Sequence, residues 1–340
     1  MHANEMSKTA FPNDAETIPL LDKVADLREK CARLTTSVSP ASRAALAPLL
    51  RSMNSYYTNR IEGQHTFPAD LEAAIEHKFS DQDEIHRRQI LAIAYMDLEE
   101  ALEPIALRAS WAEQFTPQWI CRIHRDLSWI HPFADGNGRV SRLQNHLLLA
   151  HLRLTNGLRS PMRGLARSQA KYHAALGEVD QPRRNDTDGR GNLSSRGLTH
   201  FISFWLDACL DQVAFMSTQL DFESLEYRYN SFALQITHDF GRSMSQGRGA
   251  IAPEPLGRAL YRLFQFGRLE RGEFKAMLNA ADRTASRMLA HLLDLRLVRS
   301  GSRVGPLEPG LPFFSLRFLF PGLWPEAENI PVPQTDKASE

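Results

Sequence analysis

The stretch His131-Pro132-Phe133-Ala134-Asp135-Gly136-Asn137-Gly138-Arg139-Val140-Ser141-Arg142 gathers a histidine, a carboxylate, two glycines, an asparagine and two arginines. In a core almost every one of these polar groups would need a partner. As a loop running into a helix N-terminus, the same groups can grip phosphate. Glycines at 136 and 138 let the backbone approach a ligand, and the first-turn amides point outward unpaired. Amides and helix dipole together form an anion site, to which Asn137 adds a side-chain donor. Arg139 and Arg142 are three apart, so they leave the helix on nearly one side and can clamp phosphate oxygens bidentately. Asp135 would repel a bare phosphate; it suits a divalent cation, magnesium best, that bridges two phosphate groups. His131, with an unperturbed pKa of about 6.5, is largely neutral near pH 7 and can take a proton from an attacking hydroxyl. Phe133 reads as the ring that anchors the loop. A lone histidine or a lone Gly-x-Gly would say little, but base, metal carboxylate, glycine nest and paired arginines in one window point to a phosphate-handling site.

The elements that must position these residues read as helices. Leu143, Leu147, Leu148 and Leu152 mark a helix that starts around Asn137. Upstream, Leu20 to Leu34 has helical spacing, whereas residues 1 to about 17 are polar, without periodicity, and read as loose. Ser39-Pro40 offers an N-cap and a first-turn proline, after which Leu46, Leu49, Leu50, Met53 and Tyr57 repeat on one face up to Glu62, with Gly63 as the stop. Thr58 and Glu62, four apart in its last turn, project from one face. By periodicity alone that turn is a solvated helix end. Further helices are predicted at about Pro68–His77, Asp83–Leu102, Thr116–Trp129, Arg167–Val179, Leu198–Phe215 and through Leu220–Phe240, with a polar loop at Gln181–Ser195.

His131 to Arg139 matches the Fic-family pattern HPFx[D/E]GN[G/K]R at every specified position. The chain therefore resembles the Fic (Fic/Doc) family, most of whose members transfer AMP from ATP to a protein hydroxyl. The resemblance implies a Fic fold, a compact helical domain over about residues 40–240. It further implies that His131 is the catalytic base, that Asp135 is the magnesium ligand, and that Gly136, Asn137 and Gly138 cradle phosphate beside Arg139 and Arg142. Tyr172 resembles an aromatic that the family often places after the motif helix to line the nucleotide pocket; a core tyrosine is the alternative. The stretch Thr58 to Gly63 fits the family's inhibitory motif [S/T]xxxE[G/N], placed N-terminal to the catalytic residues. Glu62 is then expected to occupy Arg142, the arginine that should hold the γ-phosphate, so that ATP binds in a pose unfit for transfer. Family members usually carry a flap hairpin that docks the target segment. Here residues 64–130 read almost wholly helical, and Trp111 to Pro117, with Phe115, is the candidate.

The texture changes at 241–255, where glycines, serines and two prolines interrupt the pattern. Beyond it, short helices at Leu256–Phe266 and Arg271–Asn279, a third capped by Asp282 over Arg283–Leu295, and a strand-like run at Pro312–Phe320 give the order of a winged helix-turn-helix. The expected organisation is mainly α: an N-terminal extension (1–39), a Fic domain with inhibitory helix (40–240), a linker (241–255) and a winged helix-turn-helix-like domain (256–325). In the third C-terminal helix, Arg283, Thr284, Arg287 and His291 can face outward while Ala285, Met288, Leu289 and Leu292 pack inward. Forty basic and forty acidic side chains cancel, so no global field draws the chain to nucleic acid or membrane. A DNA contact through 283–291 is accordingly disfavoured against a protein-binding or homodimerising role. Cys31, Cys121 and Cys209 lie far apart without a CxxC pair, and neither a signal peptide nor a run of roughly 18 apolar residues is found, which points to a cytoplasmic protein.

The expectation is thus a protein adenylyltransferase using ATP and Mg2+ on an unidentified target protein and on itself, restrained by Glu62. Two other functions fit the same residues: a nucleotide-binding regulator acting through its C-terminal part, and removal of AMP from a modified protein.

Overall fold

The computed structural model describes residues 14–114, 116, 118–119, 137–155, 157–185, 188, 193–243 and 251–333, with the side chains at 14–16, 137, 242 and 243 left aside. These residues form a mainly α structure: α1 (Asp14–Ser37), α2 (Pro40–Ile61), α3 (Pro68–Ile75), α4 (Asp83–Ala106), α5 (Trp111–Gln114), α6 (Asn137–His151), α7 (Met162–Arg167), α8 (Gln169–Val179), α9 (Ser195–Gln219), α10 (Phe222–Ser243), α11 (Pro253–Phe266), α12 (Arg271–Met277), α13 (Asp282–Asp294) and α14 (Leu316–Leu319). The described sheet is a two-stranded antiparallel ribbon, β1 (Val298–Arg299) with β2 (Glu308–Pro309), in which Val298 faces Pro309 and Arg299 faces Glu308. Among the described residues no helix is long and apolar enough to cross a membrane.

Helix α2 is the axis on which the rest is assembled. Ser39 stands in extended conformation at its N-cap, its hydroxyl accepting the Ser42 amide at 3.0 Å, and Pro40 supplies a pre-set first turn. At the other end Gly63, with φ +71°, turns the chain out of the helix, a conformation that a side chain would resist. Between these ends α2 packs against α4, α6, α7 and α11. Leu46 and Tyr57, at 0 % and 1 % exposure, lie in the main core; each such side chain contributes on the order of 2 kcal/mol by leaving water. That core runs without a break from Leu20 to Ala327 and takes in both sides of residues 241–255. Tyr229 of α10 lies 5.6 Å from Tyr261 and 5.9 Å from Phe264 of α11, and the Ser39 and Ser42 hydroxyls donate to the Gln265 and Phe264 carbonyls. A second, smaller cluster of Tyr95, Leu102, Ala106, Trp119, Val140, Leu143 and Leu147 fastens α6 to α4.

Several expectations are corrected. Residues 14–17 begin α1 rather than a loose tail, and residues 1–13 lie outside the described residues. The last turn of α2 is not solvated: Thr58 and Asn59 are 0 % exposed, because α6 covers them. Helix α4 runs one turn further, to Ala106. The strand-like run Pro312–Phe320 is helical instead, a 3-10 turn Phe313–Ser315 leading into α14. Its Phe313, Phe314, Leu316, Leu319 and Phe320 are all buried, and an apolar run buried on every side has no period from which to tell strand from helix. The antiparallel pairing lies earlier, in β1 with β2 and in a bridge from Leu269 to Leu307. In α13, Ala285, Met288, Leu289 and Leu292 are buried and Arg283 and Arg287 exposed, but His291 turns inward to lie 5.4 Å from the ring of Phe240.

Candidate active site

The site forms where the C-terminal turn of α2 meets the N-terminal turns of α6. Both elements are held from behind, α6 by Val140, Leu143 and Leu147 in the smaller cluster and α2 by Met53, Tyr56 and Tyr57 in the larger. Two arginines that the motif supplies are thereby buried against the end of α2, Arg139 at 3 % and Arg142 at 1 % exposure. Guanidinium groups at that depth need a full set of acceptors.

Arg142 finds its acceptors in one helical turn. Its Nε donates to the Thr58 hydroxyl at 2.9 Å, and its Nη2 donates to the Thr58 carbonyl at 3.1 Å and to Glu62 Oε1 at 2.6 Å. The i, i+4 spacing of Thr58 and Glu62 makes this three-point grip feasible, because both side chains stand on the same side of α2. Arg139 is held by the next residues along, donating through Nη1 to Gln64 Oε1 at 2.9 Å and to Asn59 Oδ1 at 3.5 Å. Glycine at 138 is what admits Glu62: a Cβ there would sit 2.3 Å from Glu62 Oε1 and 3.0 Å from an Arg142 nitrogen.

Behind the arginines lies a buried polar layer. Glu99 of α4 accepts from Asn54 Nδ2 at 2.9 and 3.2 Å, and its carboxyl lies 3.5 Å from Nε2 of His146 on α6. Burial pushes the Glu99 carboxyl up to about 8 and the His146 imidazole down to about 4, so near pH 7 both are neutral and the contact is not an ion pair. Beside it Trp119 Nε1 donates to Gln144 Oε1 at 2.6 Å, a further tie between α6 and the segment ahead of the motif.

Of the residues singled out from the sequence, the structure brings together Thr58, Glu62, Gly138, Arg139 and Arg142, with Gly63 ending the helix that carries the first two. His131, Phe133, Asp135 and Gly136 lie outside the described residues, and Asn137 is placed only as the first residue of α6. Tyr172 is 4 % exposed in the main core, its ring 6.5 Å from that of Phe201 and 5.3 Å from that of His173. This is the setting of a core tyrosine. Trp111–Gln114 of the flap candidate is a short helix, while Phe115 and Pro117 lie outside the described residues. Among the described residues no cluster of three or more His, Cys, Asp or Glu could hold a metal.

The sequence did not single out Asn59, Gln64, Asn54, Glu99 or His146. Asn59 lies inside the stretch Thr58–Gly63 and Gln64 directly follows it, and the amide side chain of Gln64 beside the Gly63 stop was the available signal. Glu99 sits inside an amphipathic helix where it reads as a surface carboxylate, and nothing local distinguishes it.

Comparison with known proteins gives one positive finding. Residues 46–149 match a family model described as the Fic/DOC family. That span begins in the first turns of α2 and ends in α6, so it holds both halves of the site just described. No curated protein matches the chain.

Proposed function

Residues 46–149 place this chain in the Fic/DOC family, and from that premise we propose that it transfers AMP from ATP to a Ser, Thr or Tyr hydroxyl of a target protein and of itself, restrained by Glu62. His131 takes the hydroxyl proton as the oxygen attacks the α-phosphorus; the bond from that phosphorus to the bridging oxygen breaks, and pyrophosphate leaves. The Gly136 and Gly138 backbone, the Asn137 side chain and Arg139 hold the phosphates, and Arg142 takes the terminal one. Asp135 offers the hard oxygen donor that Mg2+ prefers, and the bound ion would offset charge on two phosphate groups.

The observation that carries this reading is the occupancy of Arg142. Its Nε and Nη2 groups are engaged by Thr58 and Glu62, with Glu62 Oε1 only 2.6 Å away, so a nucleotide phosphate and the Glu62 carboxylate compete for one buried cation. The test is incubation with ATP labelled on either the α- or the γ-phosphate. Label is expected to move to protein from the α position only. Glu62→Gly should raise that transfer roughly tenfold or more, the factor for loss of one charge-assisted hydrogen bond. His131→Ala should lower it by roughly 10²-fold or more, the loss expected for a general base. Transfer from the γ position would mean phosphorylation. Absence of transfer even in Glu62→Gly would favour the regulator, and release of AMP from a modified protein would favour hydrolytic removal of AMP.

The regulatory reading draws on the C-terminal part. The order of α11, the Leu269–Leu307 bridge, α12, α13 and the β1–β2 ribbon supports a winged-helix reading, with Arg283 and Arg287 exposed on α13. With equal numbers of acidic and basic side chains in the chain, its partner is a protein or a second copy rather than duplex DNA.

A further inference from the structure

The last turn of α2 is gripped from two sides. On one side Thr58, Asn59 and Glu62 meet the motif arginines. On the other, the same turn meets a segment near the C-terminus, residues 313–328. Arg60 forms an ion pair with Glu326, and the Tyr57 hydroxyl donates to the second oxygen of that carboxylate at 3.4 Å. One turn back, the ring of Tyr56 lies 5.2 Å from Trp324, which is 0 % exposed and itself 4.8 Å from Phe313. The segment is fixed independently of α2: Arg163 of α7 donates to the Gly322 and Leu323 carbonyls at 2.6 and 3.2 Å, and the Gly322 amide donates to Glu328 at 2.6 Å. The Phe313 amide also donates to Glu72 of α3 at 3.2 Å.

We propose that Glu326 and Trp324 are positioning residues for the inhibitory turn, and that the 313–328 segment is a clamp through which the C-terminal part sets how firmly Glu62 is held on Arg142. The inference rests on the reading of Glu62 as the inhibitor. Its physical basis is that a helix end otherwise frays, and that a carboxylate holds its 2.6 Å contact only while its own backbone stays put. Residues 57 and 60 face the clamp while 58 and 62 face the arginines, so loosening the first pair gives freedom to the second. A change that lifts 313–328 would then open the site without touching a motif residue.

The test compares wild type, Glu326→Gln, Glu62→Gly and the double variant of the full chain, by self-labelling from α-labelled ATP and by hydrogen exchange of amides 59–62. Glu326→Gln keeps the shape of the side chain and removes only its charge, so the fold is preserved. It should raise labelling by about two- to fivefold, the factor for loss of a half-exposed ion pair, and speed exchange in the turn. In the Glu62→Gly background it should add nothing, because the clamp acts through Glu62. The exchanged pair Arg60→Glu with Glu326→Arg should return both readouts toward wild type. If Glu62→Gly activates while Glu326→Gln changes neither labelling nor exchange, or adds its factor in both backgrounds, the clamp is wrong and the inhibitor stands. If Glu62→Gly itself is silent, the inhibitor reading fails and exchange alone decides: faster exchange in Glu326→Gln supports the clamp, and unchanged exchange overturns it.

Discussion

Single residues behave here according to what encloses them. Glu99 and His146 face one another in the same buried layer, yet burial moves their proton affinities in opposite directions. The folded chain keeps the Glu99 proton between pH 4.5 and about 8, where the unfolded chain has lost it. That contribution to stability is full below pH 4.5 and is lost as pH rises through 8. His146 runs the other way, since between about 4 and 6.5 the unfolded chain binds a proton that the folded chain refuses. The two offset up to pH 6.5, and above it Glu99 acts alone. Between pH 6.5 and 8 the protein should therefore lose roughly 2 kcal/mol of stability, and Glu99→Gln should be flat over the same interval. Urea midpoints at the two pH values would show this, and an equal drop in the variant would reject the assignment. None of this is legible in the chain, where Glu99 is one more acidic residue on a helix. In the window from His131 to Arg142 the chemistry is local and residue types alone suggest a phosphate-handling site; the described residues bear on its last part, where Arg139 and Arg142 meet the end of α2. Its partner Thr58–Glu62 is not legible in that way: spacing alone would have left it in solvent, and only the family resemblance points it at Arg142.

At the scale of elements, most boundaries follow from caps. Ser39 with Pro40 starts α2 and Gly63 stops it, and those signals stand in the sequence. The same Ser39 hydroxyl that caps α2 also lies 2.5 Å from the Gln265 carbonyl at the end of α11. Ser39→Ala should accordingly cost about 1–2 kcal/mol and lower the thermal midpoint, whereas a cap exposed to water and free of α11 would be expected to cost less. Sequence patterning fails at Pro312–Phe320 for a different reason. Side chains buried on all sides erase the polar half of the pattern, and only the tertiary setting decides for a turn of helix. Helix α8 shows the milder case. Its predicted start at Arg167 is split by Ser168, which ends α7 and begins α8 without a proline or glycine to mark the break.

For the molecule as a whole, the continuous core makes a strong statement. Sequence texture suggests a boundary at 241–255, and glycine and proline there are real interruptions of pattern. The core nevertheless continues from α2 and α10 into α11 and α14, with Phe232 stacked 4.9 Å from Phe318. A chain ended at residue 250 should leave the apolar faces of α2 and α10 uncovered and fail to show a cooperative thermal transition. A fragment that unfolds cooperatively at the full-length midpoint would instead establish the boundary. Contacts between residues so far apart in sequence carry no local signature, which is why the site's inner half was readable and its outer support was not.

The doubly held turn of α2 also bears on how such a chain can change over generations. Tyr56, Tyr57, Thr58, Asn59, Arg60 and Glu62 each meet a group outside their own helix, so that stretch has almost no neutral position. A drift at 60 asks for a compensating drift 266 residues onward, at 326. The last turn of α2 and the C-terminal segment are then inherited as one unit, and a lineage that discards the second has reason to lose the first.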